Sequence, residues 1–183
     1  MPYSIPWHVA FVIKGSDVPF CAGTLISDRH VLTAAHCTRF LVERGYEGEI
    51  IVGEHDIASS EDGTRHTYSH YTDHPSYNKN DFSYDFSILH LRTPVQIGSR
   101  ANVACMPPAK FAGNYLAGKS LTVSGWGARS EGGRPPTTLH AVRVPGISNY
   151  QCRRSYRSIT DAMICAGQTR GGVDSCQGDS GGK

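Results

Sequence analysis

Apolar and polar residues along this chain come in short bursts bounded by turn residues, with no long helical stripe. The clearest burst is Phe86-Ser87-Ile88-Leu89-His90-Leu91, whose alternation with a period near two predicts a half-buried strand. Residues 22–27 read as another strand, turning at Asp28-Arg29-His30 into Val31-Leu32-Thr33. Further strands are expected at residues 49–53, 120–124, 140–144 and 162–166. The one good helix start is Ser148, with Gln151 three residues later as a capping box, opening a short helix to about residue 156. Residues 96–118 are poor in regular pattern and contain Pro107-Pro108, so they read as a connection between a half at 1–95 and a half at 119–183. Many short strands with Gly and Pro turns predict an all-β sandwich or barrel.

Composition sharpens this reading. The 183 residues contain 20 Gly and 10 Pro, which suits a turn-rich globular fold. Eighteen basic against sixteen acidic side chains leave a net charge of +2, which offers no electrostatic footprint for nucleic acid or an anionic membrane surface. No run reaches the ~18 apolar residues of a spanning helix. The first fifteen residues lack a basic segment followed by an apolar core and a cleavage site, so any targeting segment is expected outside this chain.

The six cysteines, Cys21, Cys37, Cys105, Cys152, Cys165 and Cys176, include no C-x-x-C pair. An even count without metal-ligand spacing reads as disulfides in an oxidising compartment, with the pairing left open.

Three islands carry the candidate chemistry: Leu32-Thr33-Ala34-Ala35-His36-Cys37, Tyr84-Asp85-Phe86-Ser87-Ile88-Leu89, and Asp174-Ser175-Cys176-Gln177-Gly178-Asp179-Ser180-Gly181-Gly182. The last satisfies the G-x-S-x-G pattern of a nucleophile elbow, but an elbow hydrolase needs its acid and histidine after the serine. Only Gly181, Gly182 and Lys183 follow. The opposite order fits: His36, then Asp85, then Ser180.

With T-A-A-H-C, D-F-S-I-L and G-D-S-G-G in that order, the chain resembles the chymotrypsin-like serine proteases of the trypsin family from about Pro6 to Gly182. Taken singly, His36 would read as structural and Asp85 as a surface acid; order and flanking residues decide against that.

The resemblance implies two antiparallel Greek-key β-barrels with a cleft between them, and a secreted endopeptidase working through an acyl-enzyme without a cofactor. Ser180 is then the nucleophile, His36 the general base and acid, and Asp85 the group that orients the imidazole. The backbone N–H groups of Gly178 and Ser180 would form the oxyanion hole. Asp174, six residues before Ser180, would sit at the base of the specificity pocket and select Arg or Lys. Asp179 would pair with the α-amino group exposed on zymogen activation. The implied partners are protein or peptide substrates with Arg or Lys before the scissile bond, and protein protease inhibitors; neither nucleic acid nor membrane is expected.

The same resemblance implies disulfides Cys21–Cys37 and Cys152–Cys165, and leaves Cys105 and Cys176 without partners in this chain. It also places the chain's start beyond the usual Ile/Val-Val-Gly-Gly and its end at Lys183, where proline is usual. The second barrel is therefore expected to be incomplete, and the alternative reading is a non-catalytic homologue that acts as a binding module. Its usual mark, a replaced serine, is absent.

Glu54, Asp56 and Glu61, in a loop resembling the family's calcium loop, are weak Ca²⁺ candidates, because Thr64 stands where a second glutamate is expected. His66, His70 and His74 recur every four residues, but the Tyr- and Thr-rich segment with Pro75 does not suit a helix. They are expected on a strand or loop surface rather than around a metal.

Overall fold

The computed structural model describes residues 2–59, 63–108, 116–128, 133–168 and 179–182. Among these residues the structure is mostly β. Ten strands are seen: β1 (His8–Ile13), β2 (Pro19–Ser27), β3 (His30–Thr33), β4 (Gly48–Val52), β5 (Thr64–His66), β6 (Tyr68–Asp73), β7 (Ser87–Leu91), β8 (Ser120–Gly125), β9 (His140–Ile147) and β10 (Cys165–Ala166). Two helices join them, α1 (Ala35–Arg44) and α2 (Asn149–Cys152).

Seven strands form one curled antiparallel sheet in the order β5-β4-β1-β2-β3-β7-β6, and three form a second sheet in the order β10-β9-β8. The first sheet wraps a core of Val9, Phe11, Leu25, Val31, Leu41, Ile50, Val52 and Leu89, all at most 2 % exposed. β1 is apolar on both faces because both are covered. Val9 and Phe11 enter this core, whereas Ala10 and Val12 pack with Ile51 and Trp126 in a smaller cluster. Trp126 follows β8, so this cluster joins the two sheets. The seam is reinforced where Leu139 N–H donates to the His55 carbonyl and Ile57 N–H to the Thr137 carbonyl.

On β7 the inward face is Ser87, Leu89 and Leu91, and Ile88 and His90 point outward. Period two is therefore real there, although the inward set includes a serine.

Several elements depart from the expectations. α1 was not expected, and its sequence explains why. Its N-cap, Ala34, has no side chain that can accept a hydrogen bond, and its inward stripe of Ala35, Thr38 and Leu41 is short and partly polar. Its end is better marked: Gly45 takes φ 68°, the left-handed conformation that glycine adopts without steric cost. β1, β5 and β6 were likewise not foreseen as strands. β6 is an edge strand rich in polar residues, and only Tyr68 and Tyr71 reach the core. In the second half, the strand expected at 162–166 is only Cys165–Ala166. The capped helix stops at Cys152, although the Ser148 hydroxyl accepts the Gln151 N–H at 3.2 Å.

Candidate active site

His36 lies in the first turn of α1, directly after β3, and Asp85 lies just before β7. Because β3 and β7 are neighbours, with Thr33 opposite Ser87, the sheet brings together two residues 49 positions apart. His36 Nδ1 donates to Asp85 Oδ2 at 2.6 Å, and the His36 backbone N–H donates to Asp85 Oδ1 at 2.8 Å. The carboxylate thus grips both the ring and the main chain of one residue. A carboxylate only accepts, so the proton of the ring bond belongs to Nδ1, and in the neutral ring the lone pair lies on Nε2. The side chains of His36 and Asp85 are 34 % and 19 % exposed, so the pair is reachable from solvent. Phe82, an exposed aromatic with φ 57°, stands edge-on to the imidazole at 5.9 Å. No sequence signal pointed to Phe82, because its place beside His36 comes from the fold.

Ser180 arrives from the far end of the chain. Its carbonyl accepts the Ala22 N–H of β2 at 2.7 Å and lies 3.8 Å from Cys37 Sγ, one residue beyond His36. Gly181 makes this docking feasible. It takes φ 82°, and a Cβ there would meet the Ala22 carbonyl oxygen at 2.4 Å and Thr33 Oγ1 at 2.5 Å. Ser180 is therefore brought against the strands that carry His36, although no hydrogen bond joins the Ser180 hydroxyl to His36 among the described residues. His36 Nε2 lies 3.5 Å from Cys37 Sγ.

The Asp179 carboxylate occupies space left by two glycines of the second half. A Cβ on Gly125 would lie 2.0 Å from Oδ1, and one on Gly127 would lie 2.4 Å from the carboxyl carbon. Asp179 Oδ1 accepts the Gly127 N–H at 2.7 Å. Gly182 abuts His8, which is 2 % exposed. His8 Nδ1 contacts the Ser124 hydroxyl at 3.2 Å, and its Nε2 has no partner. Burial lowers the His8 pKa to about 4, so this ring is neutral in the fold.

Asp174, Gly178, Cys176 and Glu61 lie outside the described residues. Among the described residues two disulfides are present, Cys21–Cys37 and Cys152–Cys165, and Cys105 is free and exposed. Cys21, His36 and Cys37 gather their ligand atoms within 4.8 Å, but both sulfurs are joined to each other and cannot serve as thiolates.

In the acidic loop, Glu54 is buried and its Oε1 accepts the His55 N–H, while Asp56 Oδ1 accepts the Ala58 N–H. Such local backbone contacts are the ordinary way a turn satisfies its acids. His66 falls on β5, His70 on β6 and His74 just beyond it, where His74 stacks on Tyr84 at 4.7 Å.

Comparison with known proteins places these features in a family. The family model described as Trypsin matches residues 1–182. Over 99 % of its length the chain is 35 % identical to coagulation factor IX of Cavia porcellus, covering 63 % of that protein. It is 33 % identical to the clotting factor G beta subunit of Tachypleus tridentatus, covering 62 % of it. The chain thus spans a little under two thirds of the length of these curated relatives. Among solved structures it superposes on neuropsin, a serine protease expressed in the limbic system of mouse brain. The TM-score is 0.86 at 32 % identity, with all of this chain and 78 % of that one covered. A histidine and an aspartate joined across adjacent strands, a turn at 179–182 docked beside them and a match over nearly every residue lead to one conclusion: the chain belongs to the trypsin family.

Proposed function

We propose that this chain is the catalytic unit of a secreted serine endopeptidase that hydrolyses peptide bonds after Arg or Lys. Ser180 is the nucleophile, His36 takes its proton and passes it to the leaving amine, and Asp85 holds the ring and stabilises the imidazolium. The N–H groups of Gly178 and Ser180 receive the oxyanion, and Asp174 pairs with the cationic side chain of the substrate. Asp179 pairs with the new amino group on activation. No step calls on a metal or cofactor.

The observation that carries the reading is the double hydrogen bond from His36 to Asp85, which fixes the tautomer a general base requires. The docking of Ser180 onto β2 supports the same reading, since it brings the nucleophile's main chain to the strands behind His36. Two disulfides support secretion, because such bonds persist in oxidising compartments. Among the described residues no helix is long and apolar enough to cross a membrane. The names of the two clotting-factor relatives favour a proteolytic cascade as the setting.

The test is labelling by a fluorophosphonate probe together with hydrolysis of an Arg ester by the activated full-length protein. Labelling that maps to Ser180 and is abolished in Ser180→Ala is expected. Folded protein that neither labels nor turns over the ester would overturn the reading in favour of a non-catalytic binding module.

A further inference from the structure

Away from His36, three histidines stand in a row on the outer face of the seven-stranded sheet. β7 lies between β3 and β6, and the register sets His90 opposite His30 on one side and opposite His70 on the other. Their neighbours Val31 and Leu89 are fully buried, so alternation turns the three rings outward. The His30 ring meets His90 edge-on at 5.0 Å, and the His70 ring stacks on His90 at 4.0 Å.

Each ring has one nitrogen held by a hydroxyl. Ser27 Oγ lies 2.7 Å from His30 Nδ1, Thr72 Oγ1 lies 3.0 Å from His90 Nε2, and Ser69 Oγ lies 2.9 Å from His70 Nδ1. The remaining nitrogens, His30 Nε2, His90 Nδ1 and His70 Nε2, make no hydrogen bond to any described residue. At His70 the tautomer follows from the partners. Ser69 gives its one proton to the His90 carbonyl at 3.1 Å, so it accepts from His70 Nδ1, and the neutral ring carries its lone pair on Nε2.

We propose that this ladder is a binding site for a divalent transition metal of the zinc class, with His30 Nε2 and His90 Nδ1 as the first two ligands and His70 Nε2 as the third. Neutral imidazole suits zinc, copper and nickel, and histidine ligands commonly have their other nitrogen held by an oxygen, as all three do here. Two imidazoles on one tetrahedral ion, with Zn–N near 2.0–2.1 Å, set their ring centres on the order of 5 Å apart. That is the His30–His90 spacing. His70 has to move: the lone pairs of stacked rings lie in separate, parallel planes and do not converge on one ion, and these three nitrogens do not all lie within 4.8 Å of one another. Its ring is exposed and can swing out of the stack, and water completes the coordination. The ion would tie β3 to β7, the strands that lead to His36 and away from Asp85, and would raise the stability of this half by mass action.

The experiment titrates the full chain, freed of metal by a chelator, with zinc chloride, followed by calorimetry and thermal melting. A single saturable site in the micromolar range is expected, with a melting temperature that rises with zinc. His90→Gln and His30→Gln should each weaken binding about tenfold or more. His66→Gln, on β5 outside the ladder, should bind as the parent does. No saturation below about 1 mM, or undiminished affinity in His90→Gln, overturns the proposal. Should His90→Gln melt early without metal, the exposed His70→Gln decides: several-fold weaker binding supports the site, and unchanged binding overturns it.

Discussion

The two sheets differ in what holds them. In the first, β1 is covered on both faces, and β1 to β4, β7 and α1 enclose a continuous apolar core running from Val9 to Ala101. In the second, β8 and β9 are largely exposed, and Val144 is the one buried apolar side chain on those two strands. Order there comes from specific local bonds. Asn149 donates to the carbonyls of Thr160 and Met163, Arg153 reaches the Ile159 carbonyl and Asp161, and Cys152–Cys165 closes the segment. Among the described residues, the first half is held mainly by burial and the second mainly by such local bonds. The hydrogen-bonded His36–Asp85 pair rests on the buried half, and the turn with Ser180 reaches it by docking on Ala22. A well-packed platform that receives a separately delivered serine suits the proposed chemistry, in which the imidazole must already be oriented.

The largest effect that would sharpen this contrast is on the platform's polar pair. Asp85→Asn keeps the shape but leaves one acceptor oxygen for two donors: with that oxygen on the His36 backbone N–H, an NH2 donor faces Nδ1 and no longer fixes the His36 tautomer. In a trypsin-type triad that change lowers kcat about 10⁴-fold. Steady-state kinetics on the activated protein, with folding verified by circular dichroism, checks it. Loss of less than tenfold would mean that orientation of His36 does not depend on Asp85.

The contrast in burial predicts a graded stability response. Phe11→Ala, at a residue 1 % exposed between Phe20 and Tyr68, should cost about 3–5 kcal/mol. Val142→Ala on β9, where the side chain is 37 % exposed, should stay within about 0.5 kcal/mol. Urea unfolding of the two variants reads the difference directly, and equal losses would break the comparison.

Acid probes the seam between the halves. His8 sits on β1 but faces Ser124, Trp126 and Gly182, and burial lowers its pKa from 6.5 to about 4. The unfolded chain binds this proton below pH 6.5 while the folded chain refuses it until about pH 4. The contribution is therefore fully present above pH 6.5, falls as the pH drops through that window, and levels off below pH 4. The whole step is worth roughly 3 kcal/mol. His8→Gln removes the titrating group, so its stability should be flatter than the parent's between pH 6.5 and 4. A parent curve with no slope attributable to His8 would contradict the burial argument.

β2, β3, β4 and β7 were legible because their apolar runs are bounded by firm turns, as at residues 22–33 and 86–91. α1 escaped notice because its cap is an alanine and its inner stripe is short. β6 escaped because an edge strand with polar side chains looks like a loop. Among candidate site residues, His36, Asp85 and Ser180 stand out in the sequence through their flanking motifs, whereas Phe82 and the His30–His90–His70 ladder carry no local signal.

Residue type and order along the chain determined which groups could do chemistry, since hydroxyl, imidazole and carboxylate bring the same reactivity wherever they stand. Which of them touch was decided by strand register. The pairing of β3 with β7 alone sets His36 2.6 Å from Asp85 and His30 opposite His90. Register depends on the burial of whole faces at once, and a slip of one residue would turn those faces over. Contacts of that kind belong to the folded sheet and to no local stretch of sequence.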